Sequence, residues 1–279
     1  MSVFVSPEDL REQIRTGKKL TVLASLWDAR EGNAWSKFQS EHIPTAQFCD
    51  PAEHLVGTPG SQVGRNPLPS PERMQESFRA WGIEANRPVV IYDTGAGEYA
   101  ARTWWTLRWA GVRDVRILDG GFAAWDRLDF ETIAGPGPVS VHTELEVAPG
   151  QLPTASIEDV KQFKGMLIDA RDTSRYVGQR ERLDLKSGHI PGARTVPVDT
   201  LFTEDGLIKP SEEILEIMAK FGITHNTDPA EAIVYSGSGN HSSKLLAAFE
   251  HAGLPLLTHY IGGWSQWSAD PENPVERDI

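Results

Sequence analysis

A set of landmarks occurs twice in the same order, at an interval of about 143 residues, and this constrains the chain to two versions of one folding unit. The first copy reads Val89-Val90-Ile91-Tyr92-Asp93-Thr94-Gly95-Ala96-Gly97, then Leu118-Asp119-Gly120-Gly121-Phe122 and Trp125. The second reads Ile233-Val234-Tyr235-Ser236-Gly237-Ser238-Gly239-Asn240-His241, then Tyr260-Ile261-Gly262-Gly263-Trp264 and Trp267. Upstream, Trp27-Asp28-Ala29-Arg30 is echoed by Ile168-Asp169-Ala170-Arg171, and His42-Ile43-Pro44 by His189-Ile190-Pro191. The chemistry of the chain is expected where the copies differ.

With 279 residues, each copy is long enough to bury its own core. The expected division is 1–134, a linker at 135–153 and a second domain at 154–279. The linker is marked by Gly135-Pro136-Gly137-Pro138 and by Pro149-Gly150 through Pro153. Residues 57–71, rich in Gly, Pro and Ser, read as a long surface loop. Apolar runs at 20–26, 87–92, 166–168 and 232–235 have the look of buried strands. Helix starts stand at Ser6-Pro7-Glu8-Asp9, Ser70-Pro71-Glu72, Thr154-Ala155-Ser156 and Pro210-Ser211-Glu212, where a cap or proline precedes acidic residues. Strands alternating with helices imply an α/β fold with parallel sheets. Trp104, Trp105 and Trp109 fall at helical spacing and read as packing residues.

The formal net charge of −12 disfavours nucleic acid and anionic membrane surfaces as partners, while leaving room for a local anion pocket. No apolar run approaches the ~18 residues of a membrane span. The N-terminus lacks a basic stretch followed by an apolar one, so a cytoplasmic location is the default expectation. The single cysteine, Cys49, fits a reducing compartment and has no neighbour that would make it a nucleophile. The eight histidines are dispersed and no cysteine pair exists, so neither a metal nor another cofactor is expected.

The turn from Ser236 to His241 lies between a strand and a helix, where backbone N–H groups and the positive helix end suit an anion. Gly237 and Gly239 permit the backbone angles of such a cradle. Gly95-x-Gly97-x-x-Ala100 superficially matches a dinucleotide fingerprint, but it stands too late in its unit and its second copy ends in Ser242. A Gly-x-Ser-x-Gly nucleophile elbow is absent around Ser236 and Ser238, and a cysteine phosphatase would need a longer loop ending in Arg.

The ordered motifs Asp-Ala-Arg, His-Ile-Pro-x-Ala, Arg102-x-Trp104-Trp105, Leu118-Asp119-Gly120-Gly121-Phe122 and Tyr235-x-Gly237-Ser238-Gly239 resemble the two-domain rhodanese sulfurtransferases over roughly residues 4–268. The family includes thiosulfate and 3-mercaptopyruvate sulfurtransferases. The resemblance implies two tandem rhodanese-like domains, the first inactive with Asp93 in the nucleophile seat. It implies a second domain that moves sulfane sulfur, through a cysteine persulfide, from a small anionic donor to a thiol, thioredoxin or cyanide. Here Ser236 occupies the cysteine seat, and an alcohol cannot hold a persulfide, so the chain as written is expected to be inactive. A cysteine-to-serine change and a natural noncatalytic binding or regulatory relative both fit. The resemblance assigns the active loop to Ser236, Gly237, Ser238, Gly239, Asn240 and His241. Gly-Ser-Gly is similar to the mercaptopyruvate branch, whereas Asn240-His241 replaces the Val-Thr of both branches. It also implies two arginines for the substrate carboxylate, Arg175 and Arg182, with Arg180 a rival for the second, a guanidinium fork being suited to that group. A proposed relay in the family would correspond to Ser238 with His42, although a histidine before Ile-Pro also fits a satisfied core position.

Overall fold

The computed structural model describes residues 2–140 and 142–278. The chain divides into two compact units, one of residues 1–56, 69–151 and 204–208, the other of residues 57–68, 152–203 and 209–279. The split does not follow chain order. Residues 57–68, from the first half of the sequence, pack into the second unit, and residues 204–208 into the first. Residues 135–151 run with the first unit, where Ala148 N–H donates to Ala110 O and Gln151 N–H to Trp109 O.

In the first unit the elements are β1 (Phe4–Val5), α1 (Pro7–Arg15), β2 (Thr21–Ser25), α2 (Asn33–Ser40), β3 (Ala46–Cys49) and α3 (Pro51–His54), followed by α4 (Pro71–Trp81), β4 (Val89–Tyr92), α5 (Glu98–Trp109), β5 (Val115–Leu118) and α6 (Gly121–Arg127). The strands form a parallel sheet in the order β1-β5-β4-β2-β3. The start signals act as their chemistry requires. Ser6 and Ser70 accept the N–H of Asp9 and Arg73, each before a proline that needs no donor partner. Helix α5 buries Trp104 and Trp105 completely, which explains their helical spacing. Such burial contributes roughly 1.5–3 kcal/mol per large side chain.

The second unit carries α7 (Ile157–Gln162), β6 (Met166–Asp169), α8 (Thr173–Tyr176) and β7 (Arg194–Thr195), a 3-10 turn at Val198–Leu201, and α9 (Ser211–Lys220). A 3-10 turn at Pro229–Glu231, β8 (Ala232–Tyr235), α10 (Asn240–His251), β9 (Thr258–Tyr260) and α11 (Gly263–Trp267) complete it. Its parallel sheet has the order β7-β6-β8-β9. Strands β4 and β8 are buried at every position, as their uninterrupted apolar runs require in a sheet covered on both faces.

The duplicated His-Ile-Pro motif does the same structural work in each unit. His42 stacks on Phe38 with ring centres 4.1 Å apart and contacts Phe38 O through Nδ1 at 2.8 Å. His189 stacks on Tyr176 at 3.7 Å and contacts Tyr176 O at 2.8 Å. The hydroxyl of Tyr92 accepts the N–H of Ile43, and that of Tyr235 accepts the N–H of Ile190. Each His-Ile-Pro therefore ties the segment after the second helix of its unit, α2 or α8, to the central strand, β4 or β8.

Candidate active site

Both loops after the central strands hold a negative or polar group against a helix start, and they differ in what fills the seat. In the first unit Asp93 is buried, and its carboxylate accepts the N–H of Gly95 (2.9 Å), Gly97 (3.0 Å), Tyr99 (3.1 Å) and Ala100 (3.2 Å). This loop supplies its own anion. Burial raises the Asp93 carboxyl above its ordinary value, against the lowering effect of those N–H groups. Beside the loop is a cavity of about 250 Å³ lined by Leu26, Trp27, Ala34, Tyr92, Thr94 and Phe122.

In the second unit the seat is Ser236, buried at the C-terminal end of β8. Its Oγ accepts the N–H of Gly239 at 3.1 Å and lies 3.0 Å from Ser242 Oγ. The loop is one residue shorter than its counterpart. Helix α10 begins at Asn240 with Gly239 as N-cap, so Asn240 and His241 sit in the first helical turn. The first intrahelical bond runs from Ser243 N–H to Gly239 O, and the N–H groups of Asn240 to Ser242 precede it. Gly239 has φ +97, a backbone state that a Cβ disfavours. Gly237 lies close to two arginines, a Cβ there standing 3.2 Å from guanidinium nitrogens of both Arg175 and Arg65.

Around this loop the second Asp-Ala-Arg motif builds a buried ionic network. Arg171 and Asp169 are completely buried and pair through Nη2–Oδ2 at 2.6 Å and Nε–Oδ1 at 3.0 Å, with Arg171 also donating to Gly188 O and packing its guanidinium over Trp264. Glu181 meets Arg175 at 3.1 Å and Arg171 at 3.8 Å, and Asp184 pairs with Arg175 at 3.2 Å and with Arg65. Burial, and next the like charge of Arg175, pull the Arg65 guanidinium below its ordinary value. In the first copy the strand position equivalent to Asp169, opposite Tyr92 as Asp169 is opposite Tyr235, is Ala24, and Asp28 lies past the strand end, where it meets Lys37 and Asn33. The two Asp-Ala-Arg stretches match in sequence and differ in their place in the fold.

Not all the residues expected at the site lie together. Ser236 to His241 and Arg175 are gathered in the second unit, with Arg175 flanking Gly237. Arg180 and Arg182 are exposed, and the backbone N–H of Arg182 donates to Glu181. Ser238 Oγ accepts from Asn66 Nδ2 at 3.0 Å. His42 belongs to the first unit, stacked in its core. Cys49 is buried there too, and desolvation pushes its thiol up, away from thiolate chemistry. His189, Glu276 and Asp278 bring three ligand-type atoms within 4.8 Å of one another, two of them on exposed carboxylates, an arrangement common without a metal. Among the described residues no helix is long and apolar enough to cross a membrane.

The sequence reading passed over Arg65, Asn66, Glu181, Asp184, Ser242 and His259. Arg65 and Asn66 lie in the 57–68 segment, whose counterpart by position, residues 204–208, is shorter, differs in sequence and packs into the first unit, so the repeat gave no signal for them. Ser242 and His259 did carry one. By structural equivalence they replace the apolar Ala100 and Ile117 of the first unit, at helix and strand positions that are buried in both.

Strand order, paired loops and a seat at the end of a central parallel strand define a tandem α/β protein with one anion cradle filled by its own aspartate. The rhodanese-like domain model matches residues 6–128 and 154–270, and the chain belongs to that family. It is 36% identical over 247 residues to a Pseudomonas aeruginosa protein named "Probable 3-mercaptopyruvate sulfurtransferase", covering 85% of each chain. It is 31% identical to the thiosulfate sulfurtransferase of Gallus gallus, covering 95% of this chain and 92% of that one. The crystal structure of the 3-mercaptopyruvate sulfotransferase SseA from Escherichia coli superposes with a TM-score of 0.80 at 28% identity, over 95% of this chain and 100% of that one.

Proposed function

We propose that the second unit is a sulfurtransferase-type donor site, suited to thiosulfate or 3-mercaptopyruvate as donor and to a thiol, thioredoxin or cyanide as acceptor. With Ser236 in the seat, the chain binds the donor without taking its sulfur. The observation that carries this reading is the position of Ser236 at the end of β8, beside helix-start N–H groups and flanked by Arg175 and Arg65. The names of the relatives support the reaction class, since both donors appear among them.

With a cysteine in the seat, a thiolate would attack the outer sulfur of the donor. A sulfur–sulfur bond would form as the donor's own bond to that sulfur breaks, releasing sulfite from thiosulfate, or from 3-mercaptopyruvate the enolate of pyruvate, which takes a proton from water to become pyruvate. The persulfide would then pass its outer sulfur to the acceptor. The Ser236 hydroxyl keeps its proton at neutral pH and forms no such bond. We assign the donor's negative end to Arg175 together with Arg65 rather than Arg182, because these two guanidiniums crowd Gly237.

The test is sulfur transfer by the parent chain and by Ser236→Cys with each donor. No transfer by the parent and measurable transfer by the variant are expected, with a preference for 3-mercaptopyruvate from the Gly-Ser-Gly loop. Equal and measurable rates from parent and variant would refute the assignment of position 236. A noncatalytic binding role is the second reading, favoured by the hydrogen bonds that already engage Ser236 Oγ. It requires Ser236→Cys to stay inactive while the parent binds the anion.

A further inference from the structure

Behind Ser236 lie two buried polar side chains for which the first unit has only apolar counterparts. Ala100 and Ile117 of the first unit become Ser242 and His259 in the second, both 0% exposed. Buried polar groups are unfavourable unless paired, and these are paired in a line toward the seat. Ser236 Oγ is 3.0 Å from Ser242 Oγ, and Ser242 Oγ is 2.6 Å from His259 Nε2. The backbone fixes the far end. His259 pairs with Val234 of β8, donates its N–H to Pro153 O and accepts the N–H of Ala155. The substitution of two apolar residues by a linked serine and histidine occurs only in the unit whose seat is not a carboxylate.

We propose that Ser242 and His259 are positioning residues that hold and move the proton of the side chain at position 236. In the resting line residue 236 donates to Ser242 Oγ, and the Ser242 hydroxyl donates to His259 Nε2. When residue 236 gives up its proton, Ser242 takes it and passes its own to Nε2, so one proton moves and no electrons are exchanged. A serine seat is thereby oriented with its lone pairs toward the Gly239 N–H. A cysteine seat becomes a thiolate linked through one hydroxyl to an imidazolium. The inference rests on position 236 being the reacting seat.

Other titratable groups on the surrounding elements have separate placements. Lys244 on α10 turns to Asp199 at 3.1 Å and lies over Phe202. His241, in the first turn of α10, acts on Asp172. Tyr235 on β8 meets Ile190 N–H, with Asp169 and Arg171 as the charges acting on it, and Tyr260 on β9 packs into the unit's core. The 153–155 segment carries Pro, Thr and Ala.

The experiment measures alkylation of Ser236→Cys by iodoacetamide from pH 5.5 to 9.5, with the parent chain as the blank for Cys49. The thiolate attacks the methylene carbon, a sulfur–carbon bond forms as iodide leaves, the thiol proton rests on Ser242 and the former Ser242 proton on His259. Alkylation is expected to titrate well below the ~8.5 of a free thiol. Adding His259→Gln or Ser242→Ala should raise that inflection and slow alkylation at pH 6.5 by about tenfold, the loss expected when a histidine-paired thiolate becomes an ordinary thiol. Ser242→Thr, which keeps the hydroxyl, should retain the low inflection. A merely structural role would scale the rates without moving the inflection. Superposable profiles for Ser236→Cys with and without Ser242→Ala would overturn the proposal, even if His259→Gln failed to fold. Alkylation needs no sulfur donor. A His259-dependent inflection in a variant that transfers no sulfur would therefore sink the proposed function and leave the relay standing, and the converse result would do the opposite.

Discussion

Replacing Asp184 with Ala should lower stability and strengthen anion binding at once. Asp184 is nearly buried and is shared by Arg65 and Arg175, the two guanidiniums that crowd Gly237. Arg65, Arg171 and Arg175 are balanced by Asp169, Glu181 and Asp184, so the network is neutral. Removing one partner of a buried pair costs about 3–5 kcal/mol, because the other charge is left unpaired. Arg65 is one-third exposed and Arg175 keeps Glu181 at 3.1 Å, so solvent and the remaining partner reduce this to about 2–3 kcal/mol. The cluster beside the loop would then carry one net positive charge. A charge-assisted contact of that kind is expected to tighten sulfate or thiosulfate binding by about tenfold, or about 1.4 kcal/mol. Urea unfolding followed by tryptophan fluorescence gives the first quantity, and calorimetric titration at fixed ionic strength gives the second. Weaker anion binding by a folded Asp184→Ala would refute the reasoning, because the loop flanked by these arginines could not then be the anion site. Unchanged stability would show that the ion pairs are not held in solution.

Two further outcomes test the seat of the first unit and the lone thiol. Burial raises the Asp93 carboxyl above its ordinary 3.8, so from that value up to the folded one the native state keeps a proton that the unfolded state has lost. Its contribution is complete below the ordinary value and is lost as pH rises through the folded one. Asp93→Asn should flatten that part of the stability profile, and parallel urea-unfolding profiles for parent and variant between pH 4 and 7 would contradict it. Cys49 is buried with its thiol pushed up by desolvation, so a disulfide reagent should find no reactive thiol in the native chain and one in denaturant. Prompt reaction of the native chain would contradict the burial.

The duplicated order of motifs was enough to indicate two parallel α/β units, because strand runs, helix caps and the Tyr-to-His-Ile-Pro tie are local or repeat-coded features. The placement of residue 236 was legible too. Position 236 follows a fully buried strand and precedes a helix start, so its side chain must meet that helix end whatever the rest of the fold does. Sequence spacing gave no route to Arg65 and Asn66, since their segment crosses from the first half of the chain into the second unit and its positional partner, residues 204–208, differs from it in length and sequence. It also paired Arg175 with Arg182, or with Arg180 as rival, because spacing does not show how the irregular 177–188 segment turns Glu181 and Asp184 inward and leaves Arg180 and Arg182 exposed. The alignment of Ser236, Ser242 and His259 was decided only by tertiary structure. A strand end, a helix turn and a neighbouring strand converge there, and the hydrogen-bond distances that join them exist only after the sheet has brought β8 and β9 side by side.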